Sequence, residues 1–174
     1  SSIPFKRTEQ LFDKENVVLY NMYATTGTKT FYNSDTAFMF VISCNVSIGD
    51  SLKFNLLPIP QNTGIFSFGA GIGNNLPVEN EQYIAPFSTN STYMRGTMDA
   101  QSSASYIYIW FQTDSENYDS DLQKVLDSLV VIKSSDYPTE YIPYKVIDIE
   151  DEITIEELGG VVKQQGSANY GKFL

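Results

Sequence analysis

Along residues 105–112, Ser105-Tyr106-Ile107-Tyr108-Ile109-Trp110-Phe111-Gln112, apolar and polar-tipped side chains alternate strictly. Ile107, Ile109 and Phe111 fall on one side and Tyr106, Tyr108 and Trp110 on the other, the period-two pattern of a strand rich in β-branched and aromatic residues. The stretch predicts an inner strand of a sandwich with its aliphatic side on the core. Two readings of the opposite side stay open. Either Tyr108 and the single tryptophan line an exposed face, as flat rings for stacking on a sugar or filling a partner's pocket, or both sides are buried and Trp110 fills the core.

The same reasoning carries along the rest of the chain. Val17 to Tyr23 is strand-like, Thr25-Thr26-Gly27-Thr28 punctuates it, and Thr30-Phe31-Tyr32 and Ala37 to Cys44 read as strands around an Asn33-Ser34-Asp35 turn. Gly49-Asp50 predicts a turn feeding the alternating strand Leu52, Phe54, Leu56, which Pro58 and Pro60 close because proline removes a ladder donor. Ile65 to Phe68, Gln82 to Phe87 and Ser91 to Met98 predict further strands, and Gly69-Ala70-Gly71-Ile72-Gly73 predicts a flexible connection between sheets. Leu122, Val125, Leu126 and Leu129 predict one or two helical turns running into the strand Leu129 to Lys133.

With 174 residues the chain suffices for one domain with a full core plus a tail. Aromatic residues at 14% against only 18% charged ones fit an all-β surface or secreted module better than a helical cytosolic enzyme. The net charge of −10 argues against a nucleic-acid partner, since such proteins neutralise phosphates with Lys and Arg. Cys44 is single, which excludes an internal disulfide, and it is expected as a small buried hydrophobe. The apolar run around it is too short to span a bilayer and the first residues carry no charged-then-apolar leader pattern, so no membrane insertion is expected.

Several motifs invite chemistry. Gly49-Asp50-Ser51-Leu52 spells the nucleophile motif of GDSL-type serine esterases, but the chain contains no histidine, so Ser51 has no imidazole base. The glycines at 69, 71 and 73 lack the following helix and the spaced acidic residue of a dinucleotide loop. Asp114 to Asp121 is an acidic loop; its oxygens suit Ca2+, yet the order lacks the EF-hand spacing and glycine, and a solvated loop is the simpler reading. With no His and one Cys, only such an oxygen-ligand cation is chemically plausible, and no metal site or other cofactor is assigned. Asn-x-Ser/Thr patterns occur at Asn45 and Asn90.

Three pieces in order carry a resemblance: Leu11-Phe12-Asp13, the turn and strand from Ile48 to Phe54, and the closing set Tyr106 to Ile109, Leu129 to Val131 and Pro138-Thr139-Glu140-Tyr141-Ile142-Pro143-Tyr144. Together they resemble the jelly-roll modules of bacteriophage and prophage tail, fibre and baseplate proteins, which also occur in front of GDSL-type esterases. Gln10 stands where such modules usually carry Asn. The resemblance implies an all-β antiparallel β-sandwich of jelly-roll type over residues 11–145, after an arm at 1–10.

Residues 146–174 differ in kind: an acidic stretch interleaved with isoleucines, then Gly159-Gly160 and an acid-free end, the composition shift of a linker and docking tail. The chain is expected to be cut or cleaved from something larger. The resemblance implies a non-catalytic virion module in the virion or at the cell surface, probing a bacterial surface carbohydrate alongside other virion proteins, as a homotrimer. Its alternative is a carbohydrate-binding accessory domain of an esterase whose catalytic domain follows residue 174. If a glycan is bound, Trp110 and Tyr108 are the first candidate ligand residues and Tyr106 and Tyr93 the next.

Overall fold

A computed structural model describes residues 10–145 of the chain, and residues 10–144 belong to one compact unit. Of the expected arm at 1–10 only Gln10 is described, and its hydrogen bonds to β11 and to Ile142 bury it in the sandwich instead of in an arm; residues 1–9 and the linker and tail at 146–174 lie outside the described residues. The protein is an all-β sandwich of antiparallel sheets with one short helix. One sheet has five strands in the order β1 (Val18–Tyr20), β4 (Ala37–Val46), β10 (Ala104–Gln112), β6 (Ser67–Gly73) and β7 (Ala85–Pro86). The other has four, β11 (Leu129–Lys133), β5 (Ser51–Leu56), β9 (Arg95–Asp99) and β8 (Ser88–Asn90), and β2 (Met22–Ala24) with β3 (Phe31–Asn33) forms a separate hairpin. Successive strands β4, β5 and β6 alternate between the two large sheets, as do β9, β10 and β11, which is the alternation a jelly roll requires.

The predicted inner strand is β10, paired on one side with β4 and on the other with β6. Its Ile107, Ile109 and Phe111 meet Phe38, Phe40 and Ile42 of β4 and, from the facing sheet, Leu52, Phe54, Leu56, Leu129 and Val131 in one buried core. Rings dominate it: Phe12 meets Phe40 edge-on at 5.0 Å and Phe38 stacks on Phe111 at 5.4 Å, pairs worth about 0.5–1.5 kcal/mol each beyond their buried area.

The stretch expected as a flexible connection, Gly69 to Gly73, is instead most of β6. In register, Gly69 lies opposite Trp110, Gly71 opposite Tyr108 and Gly73 opposite Tyr106. A Cβ on Gly69 would run into the Trp110 indole, one on Gly71 into the Tyr83 ring and one on Gly73 into the Tyr108 phenol. Glycine weakens a strand by propensity, but here its missing side chain makes the room that the neighbouring rings occupy.

Other elements are shorter or differently divided than their patterns predict. Val17 to Tyr23 is split at Asn21 into β1 and β2, Gln82 to Phe87 contributes only the two-residue β7, and Ser91 to Met94 forms the turn of the β8–β9 hairpin rather than a strand. The helix α1 (Tyr118–Leu126) starts earlier than its leucines predict and takes in the second half of the acidic loop. Asp114 accepts from the Asn117 amide at 2.8 Å ahead of it, and Asp119 and Asp121 lie in its first turn, where the helix dipole favours negative charge. Cys44 is half-buried at the rim of the core rather than inside it.

Gln10 closes an edge. Its Oε1 accepts from the Val131 amide at 2.8 Å and the Phe12 amide at 3.1 Å, while its Nε2 donates to the carbonyls of Leu129 at 3.0 Å and Ile142 at 2.8 Å. The Leu11 amide donates to the Val131 carbonyl at 2.8 Å. The open side of the edge strand β11 is thereby paired by the opening phrase, which is tied in turn to the closing one.

Candidate functional site

The expectation that Tyr108 and Trp110 line an exposed face is corrected by their surroundings. Trp110 is 2% exposed and Tyr108 1%. The face they share with Met39 and Val41 is roofed by Met22, Ala24 and Phe31 of the β2–β3 hairpin and by Tyr83. Tyr83 meets Trp110 at 5.7 Å, Phe31 meets Tyr108 edge-on at 5.1 Å, and the Tyr108 hydroxyl donates to the Asn75 carbonyl. Tyr106 is half-buried against the same cluster, its ring stacked 6.4 Å from that of Tyr108. From Ile107 to Phe111 the strand β10 is therefore buried on both faces, and these rings fill a second small core.

Tyr93, the fourth candidate, is 50% exposed, and it belongs to a different place. It lies in the β8–β9 turn beside the outer face of the four-stranded sheet. Residues paired in register share a face, so two rows cross that face. Val130, Asn55, Arg95 and Asn90 form one, and Ile132, Lys53, Thr97 and Ser88 the other. Their partners on the inner face, such as Phe54 opposite Gly96 and Leu52 opposite Met98, belong to the core or lie against it. Alternation along β5 and β9 thus sends greasy side chains inward and a polar, cationic set outward.

The geometry of that set centres on Tyr137. The Arg95 guanidinium carbon lies 3.9 Å from the Tyr137 ring centroid and 4.6 Å from that of Tyr93, so the cation is held between two rings. The Lys53 ammonium is 5.5 Å from the same Tyr137 ring and donates to Ser51 Oγ at 3.0 Å and Thr97 Oγ1 at 2.6 Å. Lys53 is only 7% exposed. Removing an ammonium from water costs several kcal/mol, and a cation–π contact returns about 0.5–2 kcal/mol. Among the described residues neither Lys53 nor Arg95 has a carboxylate within ion-pair distance; the acidic residue in register nearest Lys53 is Asp99, exposed and opposite Ser51.

Asn55, 5% exposed, donates from Nδ2 to the Pro138 carbonyl at 3.4 Å, but its Oδ1 is without a partner. Beside it in the same row, Arg95 Nε is also without one. An acceptor and a donor are therefore adjacent and unsatisfied, at a cost of about 1–3 kcal/mol each. Met94, between Tyr93 and Arg95, takes φ 44°, a left-handed conformation that costs a side-chain-bearing residue about 1–2 kcal/mol.

Sequence reasoning missed Arg95, Lys53, Asn55 and Tyr137. Arg95 and Thr97 at spacing two, and Lys53 with Asn55 between the core positions of β5, were a readable signal for a shared outer face. Tyr137 carried none, because it arrives from an irregular segment after β11.

The esterase motif has no matching geometry. Gly49, at φ 94°, turns the chain into β5, so Ser51 heads a strand instead of an elbow into a helix. Asp50 accepts from the Ser47 amide at 2.8 Å and pairs with Lys133 at 3.2 Å, and the first of these chiefly holds its carboxyl below the usual range. Ser51 Oγ accepts from Lys53 Nζ at 3.0 Å. In the acidic stretch, Asp121 is fully buried and accepts from the Gly64 amide at 2.9 Å and from the Thr113 hydroxyl. Among the described residues no three His, Cys, Asp or Glu side chains converge as a metal site would need, and no helix is long and apolar enough to cross a membrane. No family model matches the chain, and no curated protein or solved structure matches it either.

Proposed function

We propose that this chain is a non-catalytic attachment module of a bacteriophage or prophage tail or fibre, and that it binds a bacterial surface glycan with the outer face of its four-stranded sheet. The observation that carries the reading is the half-exposed Tyr93 ring beside Arg95, at the end of the face away from the buried Val130 and Ile132, where the neighbouring side chains are the amide of Asn90 and the hydroxyls of Ser88 and Thr97. Sugars are recognised by a ring that stacks on their C–H faces and by fixed polar groups that bond their hydroxyls. Asn90 and Ser88, both exposed at the end of the two rows, supply such groups beyond the Tyr93–Arg95 pair.

Retention of the protein on host cell-wall or capsular glycan tests this. Tyr93→Ala, in an exposed turn, is expected to weaken retention severalfold with an unchanged unfolding midpoint. Equal retention of the variant and the parent would refute the site. Such a module works as a homotrimer among other virion proteins, and the mass in solution, three times that of one chain or equal to it, tests the assembly.

A further inference from the structure

We infer that the ligand of this face is an acidic glycan, one whose sugar carries a carboxylate or a phosphate, held by Arg95 and Lys53. The inference rests on the proposed glycan-binding role of the same face and adds the charge of the ligand. Three observations carry it. First, a lysine that is 7% exposed keeps its ammonium among two hydroxyls and a tyrosine ring, and an ammonium has a further N–H to give. Second, the half-buried Arg95 lies against both the Tyr93 and Tyr137 rings, which restricts its guanidinium; its Nε is buried, so its terminal N–H groups are the ones it can offer a ligand. A preorganised fork of this kind suits the paired oxygens of a carboxylate or phosphate. Third, these two cations, both against one ring, belong to a chain of net charge −10 and have no acidic partner among the described residues. A protein so acidic overall repels anions at long range, so a local pair of unneutralised cations concentrates attraction at one spot.

The test uses the whole chain and three probes of matched length: an oligogalacturonate for the carboxylate, a poly(glycerol phosphate) chain for the phosphate, and a neutral oligosaccharide. Calorimetric titration at low and high salt is the readout. The inference expects one of the two acidic probes to bind, the neutral one to bind at least about tenfold more weakly, and affinity for the acidic probe to fall as salt rises. Which acidic probe binds decides between carboxylate and phosphate. Arg95→Gln should lose about tenfold, and Arg95→Lys, which keeps the charge but not the fork, should lose less. Tight, salt-insensitive binding of the neutral probe would overturn the acidic ligand while leaving a glycan-binding face in place. Binding of none of the three, by a parent protein with a normal unfolding transition, would overturn both. The salt series on the parent protein holds even if Arg95→Gln fails to fold.

Discussion

Gly69 and Trp110 face each other across the β6–β10 ladder, and a methyl group on the first would enter the indole of the second. The tryptophan is itself pinned by Tyr83 at 5.7 Å, so it cannot swing aside without disturbing the second core. Gly69→Ala is therefore expected to destabilise the protein by about 1–3 kcal/mol, the usual penalty of overpacking, despite alanine's better strand entropy. Urea unfolding checks it: the midpoint should drop with the slope unchanged. An unaltered or raised midpoint would show that the indole has room to move.

Trp110 is the only tryptophan, so its fluorescence reports one place. At 2% exposure it should resist a polar quencher in the folded protein and become accessible only on unfolding. Trp110→Ala should cost about 3–5 kcal/mol, a large part of a domain's stability. Efficient quenching of the native protein would contradict the roof formed by β2 and β3.

Gln10 serves four backbone groups, two on β11. Gln10→Ala leaves the Val131 amide and the Leu129 carbonyl buried without those bonds, and should cost about 2–4 kcal/mol. Gln10→Glu keeps an acceptor for Val131 but loses the donor to Leu129 and Ile142, and should also destabilise. Hydrogen exchange at Val131 gives the local readout, with faster exchange expected in the alanine variant.

Burial pushes the Tyr108 phenol up to about 12, the bond to Asn75 opposing it, and burial raises Tyr83 as well. A folded pKa above the unfolded value of about 10 means that the folded state holds the proton more tightly. This contribution to stability is whole below about pH 10 and is lost as pH rises through the folded value. Denaturant midpoints measured across that alkaline window should fall with pH, and Tyr108→Phe should flatten the fall. An identical slope in the variant would exclude Tyr108 as a source.

The sandwich was legible because β10 carries an uninterrupted period of two, and β5 repeats it at Leu52, Phe54 and Leu56. What the sequence hid was tertiary. Glycine reads as loop by propensity, and only the rings opposite explain why Gly69, Gly71 and Gly73 stay in a strand. The outward alternation of Tyr106, Tyr108 and Trp110 was correctly periodic, but periodicity says which side chains share a face and not whether another element covers it. The covering hairpin comes from residues 22–33, about eighty positions away in sequence. Tyr93 entered as a candidate by its residue type alone, and its exposure was not legible. Its partners Arg95 and Tyr137 come together through a turn and an irregular segment that alternation does not reach.

The claim on which the account turns is that recognition belongs to the outer face of β5, β9 and β8 rather than to the tryptophan strand. Amide chemical shifts of the labelled protein, followed while host surface polysaccharide is added, test it most directly. Shifts should concentrate at Lys53, Asn55, Asn90, Tyr93, Arg95 and Thr97, with residues 106–110 unmoved. Shifts centred on Tyr108 and Trp110, or none anywhere, would contradict it.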